Sequence, residues 1–211
     1  MNDRFCIIVQ GPTVADDVST IKKAWGSFPI IFSTWEDADK ACYTPDDIVL
    51  FNKYPDIHGR KNFNLQKISS LNGIQKAKDL GFSRVLKWRN DFTTNNGSNL
   101  TKLFNTNCLN FYAFIPLLCG YVTDFFIEGD VDDMLALFSI PNISNSAQFP
   151  EFYLTKNMYH LGLNAKANFV CKQLTRETNI YWKKLDYWLT KNINDTNYSD
   201  QLPKEISEAY K

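Results

Sequence analysis

The sequence predicts an α/β fold: a central, mainly parallel sheet flanked by helices. Three observations predict it. Through the first half, short apolar runs alternate with amphipathic segments in the order β-α-β-β-α-β. The first apolar run is nearly continuous, as expected of a strand buried on both faces. The 211 residues, 44% hydrophobic and 15% aromatic, suffice for one sizeable core.

"FCIIVQ" (5–10) predicts the first strand, and "GPT" turns the chain after it. Thr13 and Asp16 have capping-box spacing, and Val14, Val18, Ile21 and Trp25 follow at helical spacing. "PIIFSTW" predicts the second strand, with Trp35 expected in the loop at its end. "DIVLFNK" predicts the third, after the turn-rich "YTPDD". "NFNLQKISSLNGIQKAKDLG" predicts a long helix. Leu65, Ile68, Leu71 or Asn72, and Ile74 lie along one stripe of it, and Gly81 caps its end. "RVLKWRND" is the fourth strand. In the second half "LNFYAFIPL" and "CGYVTDFFIEGD" read as strands, and "DVDDMLALFSI" and "FPEFYLTKNMYHLG" as helices. A last helix is expected from near Thr175, carrying Trp182, Leu185, Trp188 and Leu189. Nothing marks a second domain, so residues 1–211 are read as one, with a polar tail over 193–211.

Composition excludes several classes. Lys and Arg number 23 and Asp and Glu 23, without the basic excess of a nucleic-acid binder. No run of eighteen apolar residues and no signal peptide is visible, so a soluble, cytoplasmic protein is expected. Cys6, Cys42, Cys108, Cys119 and Cys171 are scattered without a C-x-x-C pair, which suits buried, reduced thiols. With only His58 and His160 present, a zinc site is not expected. The chain lacks G-x-G-x-x-G after the first strand, G-x-x-x-x-G-K-[ST] and G-x-S-x-G. These absences argue against a Rossmann dehydrogenase, a P-loop NTPase and an α/β-hydrolase.

Ligands of open parallel sheets sit beyond the carboxyl ends of the strands. Those ends carry Gln10-Gly11-Pro12-Thr13, Ser33-Thr34-Trp35-Glu36, Asn52-Lys53, and Lys87 to Asp91. Strict alternation places Lys87, Arg89 and Asp91 on one face of the fourth strand and Leu86, Trp88 and Asn90 on the other. Two cations and a carboxylate on one side fit a solvated strand end that pairs internally, or a site for a diphosphate and its metal. By elimination the chemistry is that of nucleotide sugars.

In their order, "IIVQGPT", "FSTWE", "NFNLQKISSLNGIQKAKDLG" and "VLKWRNDF" resemble the WavE-type lipopolysaccharide-synthesis family. They are also similar to the small GT-A glycosyltransferase domains of chlorella viruses. The resemblance covers residues 5 to 130 and implies a GT-A-like nucleotide-diphospho-sugar transferase fold. Residues 1–95 would form its nucleotide-binding half and 96–192 its acceptor side. It implies that Gln10, Gly11, Pro12 and Thr13 meet the nucleotide, with Thr34 and Trp35 beside base and ribose. Asn64, Lys67 and Ser70 would face the donor from the long helix. Asp91 would be the metal ligand, for Mn2+ or Mg2+, in the last place of a D-x-D motif. The first place holds Arg89, so Arg89 and Lys87 would share phosphate neutralisation.

The implied reaction moves a hexosyl group from a nucleoside-diphosphate sugar, a UDP-sugar, to a hydroxyl of a glycan or glycoprotein acceptor. Inversion would require a carboxylate base. Asp124 is the first candidate, then Glu128 and Asp130; Asp130, Asp132 and Asp133 also suit a helix N-terminus. His160 could complete the metal site or lie at the surface. The alternative is a nucleotide-sugar-binding module without turnover, part of a larger glycan-synthesis protein.

Overall fold

The structure, a computed structural model, describes residues 4–94, 97, 108–113, 124, 126–146, 150–163, 165–169 and 180–182. Seven strands form the central sheet: β1 (Phe5–Gln10), β2 (Ile30–Trp35), β3 (Ile48–Asn52), β4 (Arg84–Arg89), β6 (Leu109–Ala113), β7 (Phe126–Asp130) and β8 (Ala165–Phe169). Their order is β3-β2-β1-β4-β7-β6-β8. β1 runs parallel to β2 and β4, β3 to β2, and β8 to β6. β7 alone is antiparallel to its neighbours, β4 and β6. The predicted class is observed.

Among the described residues, four helices flank the sheet: α1 (Ala15–Trp25), α2 (Phe63–Asp79), α3 (Val131–Phe138) and α4 (Pro150–His160). Alternation along the strands splits the core. Ile7, Val9, Phe32, Leu86 and Trp88 pack with Val18, Ile21 and Trp25 of α1. Cys6, Ile8, Ile31 and Val85 pack with Ile74 and Ala77 of α2, Met134 and Leu137 of α3, and Leu154 and Met158 of α4. Trp88 meets Trp25 edge-to-face at 5.2 Å and stacks on Phe126 at 5.0 Å. The face assigned to Trp88 from alternation is therefore correct, and Lys87 and Arg89 lie on the α2 side.

The fully buried stripe of α2 is not the predicted aliphatic one. Leu65, Ile68 and Leu71 are half-buried, whereas Asn64, Lys67, Ser69, Ser70 and Gly73 are buried with Ile74 and Ala77. Small residues allow this. A Cβ on Gly73 would lie 2.4 Å from Ile8 Cγ2 and 3.3 Å from Ser33 Cβ, so the helix rests almost on the strands. Ser33 Oγ can then donate to Ser69 O at 2.6 Å. Gly81, at φ 77°, caps the end of α2 as expected.

Three expectations need correction. Thr13 does not cap α1: Val14 is the N-cap, without a side-chain bond, and the Thr13 hydroxyl is taken by Tyr43 Oη. Trp35 is not a loop residue. It is the last residue of β2 and 3% exposed. Nor does a helix run through Trp182. Ile180–Trp182 form β9, which pairs antiparallel with β5 (Phe92–Thr94), so backbone pairing overrides the helical spacing read there. Leu185, Trp188, Leu189 and the tail over 193–211 lie outside the described residues. Among the described residues no helix is long and apolar enough to cross a membrane.

Candidate functional site: the carboxyl edge of β1 and β4

Register places Gln10 between Ser33 of β2 and Arg89 of β4, all on the α2 face at the strand ends. The exits of β1 and β4 are tied together. Asn90 N–H donates to Gln10 O at 3.1 Å, and the Asn90 side-chain amide donates to Pro12 O. Gly11 is needed between them. Its φ is 121°, and a Cβ there would sit 2.5 Å from Asn90 Oδ1.

The antiparallel register explains the next contact. β7 pairs Phe126 with Trp88, so Asp124, two residues earlier, enters beside the end of β4. Arg89 stands between two carboxylates. Its Nε donates to Asp91 Oδ1 at 2.9 Å and its Nη2 to Asp91 Oδ2 at 2.6 Å. Its Nη1 reaches Asp124 Oδ1 at 3.5 Å. Burial disfavours the guanidinium cation, but Asp124 and Asp91 outweigh that and raise its pKa. Lys87 lies beneath, fully buried, and donates to the backbone carbonyl of Asp124. Burial lowers its pKa to about 8, an effect Asp124 partly opposes. Lys87 thus supports Asp124 from below, while Arg89 and Asp91, each about one-fifth exposed, reach the surface.

The other predicted residues fall into two groups. Thr13, Thr34 and Trp35 are buried at the same strand edge. Trp35 stacks on Tyr54 with centroids 4.6 Å apart and planes 14° apart, and Tyr54, 40% exposed, covers it. On α2, Asn64 and Lys67 spend their polar atoms on the segment after α3 and, for Asn64, on the loop before α2 as well. Asn64 Nδ2 donates to Ile57 O and Ile143 O, both at 2.8 Å, while its Oδ1 accepts from Ile143 N–H at 2.9 Å. Lys67 Nζ donates to Ile140 O at 2.7 Å and Asn142 Oδ1 at 2.5 Å. Among the buried atoms at this edge, Gln10 Oε1 and Ser70 Oγ lack a partner among the described residues. Unmet buried polar atoms are rare and costly, which makes them pointers to a ligand.

Three acidic candidates and the late histidine stand elsewhere. Glu128 is fully buried on the α1 face, bonded to Arg84 and to Asn110 Nδ2 at 2.7 Å. Asp130 pairs with Arg84 at 2.8 Å, and Asp132 with Lys78 at 2.8 Å. The Arg84 pairs tie neighbouring strands together, and the Asp132–Lys78 pair ties α3 to α2. His160 is exposed at the last residue of α4, about 14 Å from that helix's first turn at 1.5 Å per residue. It does not join the β4 edge.

The residue that sequence reading missed is Glu151. It sits in the first turn of α4, and its charged neighbours are Asp124, Arg89 and Lys61. The signal was available. Leu154, Thr155 and Met158 follow Glu151 at i+3, i+4 and i+7, so a half-buried carboxylate flanks the helix's buried stripe, which begins at Pro150.

The resemblance also places a divalent ion on Asp91. The side chains do not fit one as they stand. Both Asp91 oxygens accept from Arg89, and among the described residues no three His, Cys, Asp or Glu side chains converge. A guanidinium holds the position between Asp91 and Asp124.

Solved structures show what this architecture is similar to. A protein assigned as a nucleotide-diphospho-sugar transferase from Desulfovibrio desulfuricans G20 superposes with a TM-score of 0.55 at 14% identity, covering 80% of each chain. The catalytic domain of Drosophila beta1,4galactosyltransferase 7, in complex with xylobiose, gives 0.52 at 12% identity, covering 82% of this chain and 69% of that one. No family model matches the sequence, and no curated protein matches it significantly. The fold is therefore the GT-A-like nucleotide-diphospho-sugar transferase fold.

Proposed function

We propose that the protein is a glycosyltransferase that moves a hexosyl group from a UDP-sugar to a hydroxyl of a glycan or glycoprotein. The observation that carries this reading is Arg89, held by Asp91 and Asp124 at the carboxyl edge of β4, in register with Gln10, whose amide oxygen has no partner among the described residues. The leaving diphosphate develops charge as the glycosidic bond breaks, and a pre-aimed, planar guanidinium stabilises oxyanions with two parallel hydrogen bonds. Gln10 and Ser70 supply uncommitted polar atoms for the donor. Asn64 and Lys67 act at one remove, by fixing the 140–143 segment. The resemblance of the ordered motifs to WavE-type and chlorella-virus domains, and the likeness of fold to nucleotide-sugar enzymes, support the reading.

A thermal-shift series with UDP and UDP-hexoses tests it. Ligand at a hundred times its dissociation constant adds about 2.7 kcal/mol of stability. Absence of any nucleotide shift rejects the proposal. Donor binding without release of free sugar in long incubations would instead make the chain a binding module.

A further inference from the structure

β3 stands at the end of the sheet, paired with β2 on one side and with no strand beyond it among the described residues. One bond shows which way its backbone groups point. Glu36 N–H donates to Asn52 O at 2.9 Å, so the Asn52 carbonyl faces β2. Backbone groups of successive strand residues point to opposite sides. Those of Ile48 and Leu50 therefore also face β2, and those of Val49 and Phe51 face outward, where no described group bonds them. Natural edges are usually blunted by a charge, a proline or a bulge. β3 has none of these: it reads Ile-Val-Leu-Phe-Asn in unbroken register, and Phe51 is 37% exposed. Charges stand only at its two ends, and they are opposite in sign. Asp46 and Asp47 precede the strand and Lys53 follows it. Asp47 is held by Lys22 at 2.5 Å, whereas Asp46 and Lys53, both exposed, form no ion pair among the described residues.

We propose that this edge binds a second copy of the chain, with β3 antiparallel to the partner's β3 about a two-fold axis through Leu50. The pairing is independent of the transfer chemistry. Two conditions set its register. Outward-facing residues must meet outward-facing residues, which allows an axis at Val49, Leu50 or Phe51. Of these, only the axis at Leu50 overlaps the whole strand, and it brings Lys53 opposite the partner's Asp47, with the partner's Asp46 beside it. Val49 then faces the partner's Phe51, and each such pair exchanges two backbone hydrogen bonds. Facing side chains share a side of the sheet. Val49, which packs on the α1 core, therefore meets the partner's Phe51 there, and Leu50 meets the partner's Leu50 on the α2 side. A two-fold axis repeats the charge match at both ends, which is why the occupant is the same chain and not an unrelated strand. Antiparallel pairing also turns the two carboxyl edges in opposite directions, so the two Arg89 sites face away from each other. The short edge puts the interface below about 1,200 Å², where association is weak and concentration-dependent.

Sedimentation velocity over a concentration series, from micromolar to millimolar, tests this. Wild type should pass from monomer to dimer, and added salt should move that passage to higher concentration. Phe51→Pro removes an outward N–H and leaves the β2 ladder intact, because Pro is tolerated on an edge strand whose N–H faces solvent. The axis loses that bond twice, so association should weaken about tenfold. Lys53→Glu and Asp46→Lys should each weaken association as well, since each sets like charges together at both ends. Mixed, the two charge variants should recover the dimer, because each then offers the other its opposite charge at both ends. Both positions are exposed, and unchanged melting temperatures check that the variants fold. A wild type that stays monomeric at every concentration overturns the proposal. So does a dimer that persists in folded Phe51→Pro, or a mixture of the charge variants that associates no better than either alone.

Discussion

Arg89 and Asp91, two residues apart at the end of β4, form a two-point ion pair with N–O distances of 2.9 and 2.6 Å. A strand makes this possible, since residues i and i+2 share a face. With each side chain about one-fifth exposed, the pair lies between two regimes. An exposed pair contributes about 0–1 kcal/mol, whereas breaking a buried one costs about 3–5 kcal/mol. Asp91→Asn should fall between them in urea denaturation, and its UDP binding should weaken as Arg89 loses its aim. A variant with wild-type stability and affinity would show that the pair orients nothing.

Trp35 and Tyr54 separate stability from nucleotide binding. Trp35 is buried at the end of β2, so Trp35→Ala should cost about 3–5 kcal/mol, as loss of a core aromatic does. Tyr54 covers it with an exposed ring face. Tyr54→Ala should leave most of the stability intact and weaken UDP by about tenfold or more if the base stacks there. Unchanged affinity in a folded Tyr54→Ala protein would move the base elsewhere.

Lys87 gives a pH signature. Its folded pKa of about 8 lies below the ordinary lysine value of 10.5, so between those values the folded state holds fewer protons than the unfolded one. Stability from this group therefore rises with pH across that window. Compared with Lys87→Met, wild type should gain thermal stability between pH 7 and pH 10. A constant difference in Tm across that range would contradict the buried cation.

Glu151 should show the opposite dependence. A carboxyl whose folded pKa is raised is most comfortable protonated, and its penalty grows as pH rises from the ordinary carboxylate range through the raised value. Glu151→Gln should therefore melt higher than wild type at pH 7, and the two should converge in acid. A lower melting temperature at pH 7 would mean that Glu151 serves the fold.

Much of the site-bearing sheet could be read from the chain. The continuous apolar runs of β1 and β4 announce two-sided burial, and one alternation separates Trp88 from Lys87 and Arg89. What remained hidden depends on contacts distant in sequence. The polar stripe of α2 looks like a solvated face until Gly73 brings it against Ile8 and Ser33. Asp124 meets Arg89 only through the β4–β7 register, and the same register sets Glu128 opposite Leu86 on the α1 face. Thr13 spends its hydroxyl on Tyr43, thirty residues away, which no local capping rule foresees.

The central claim is that Arg89 receives the diphosphate, and one calorimetric experiment tests it. UDP is titrated into wild type and Arg89→Gln, first with chelator and then with manganese. Wild type should bind in chelator, manganese should tighten binding by less than tenfold, about 1.4 kcal/mol, and Arg89→Gln should lose more than that amount. Binding by wild type only when manganese is present, or equal affinity of the two proteins in chelator, would contradict the account.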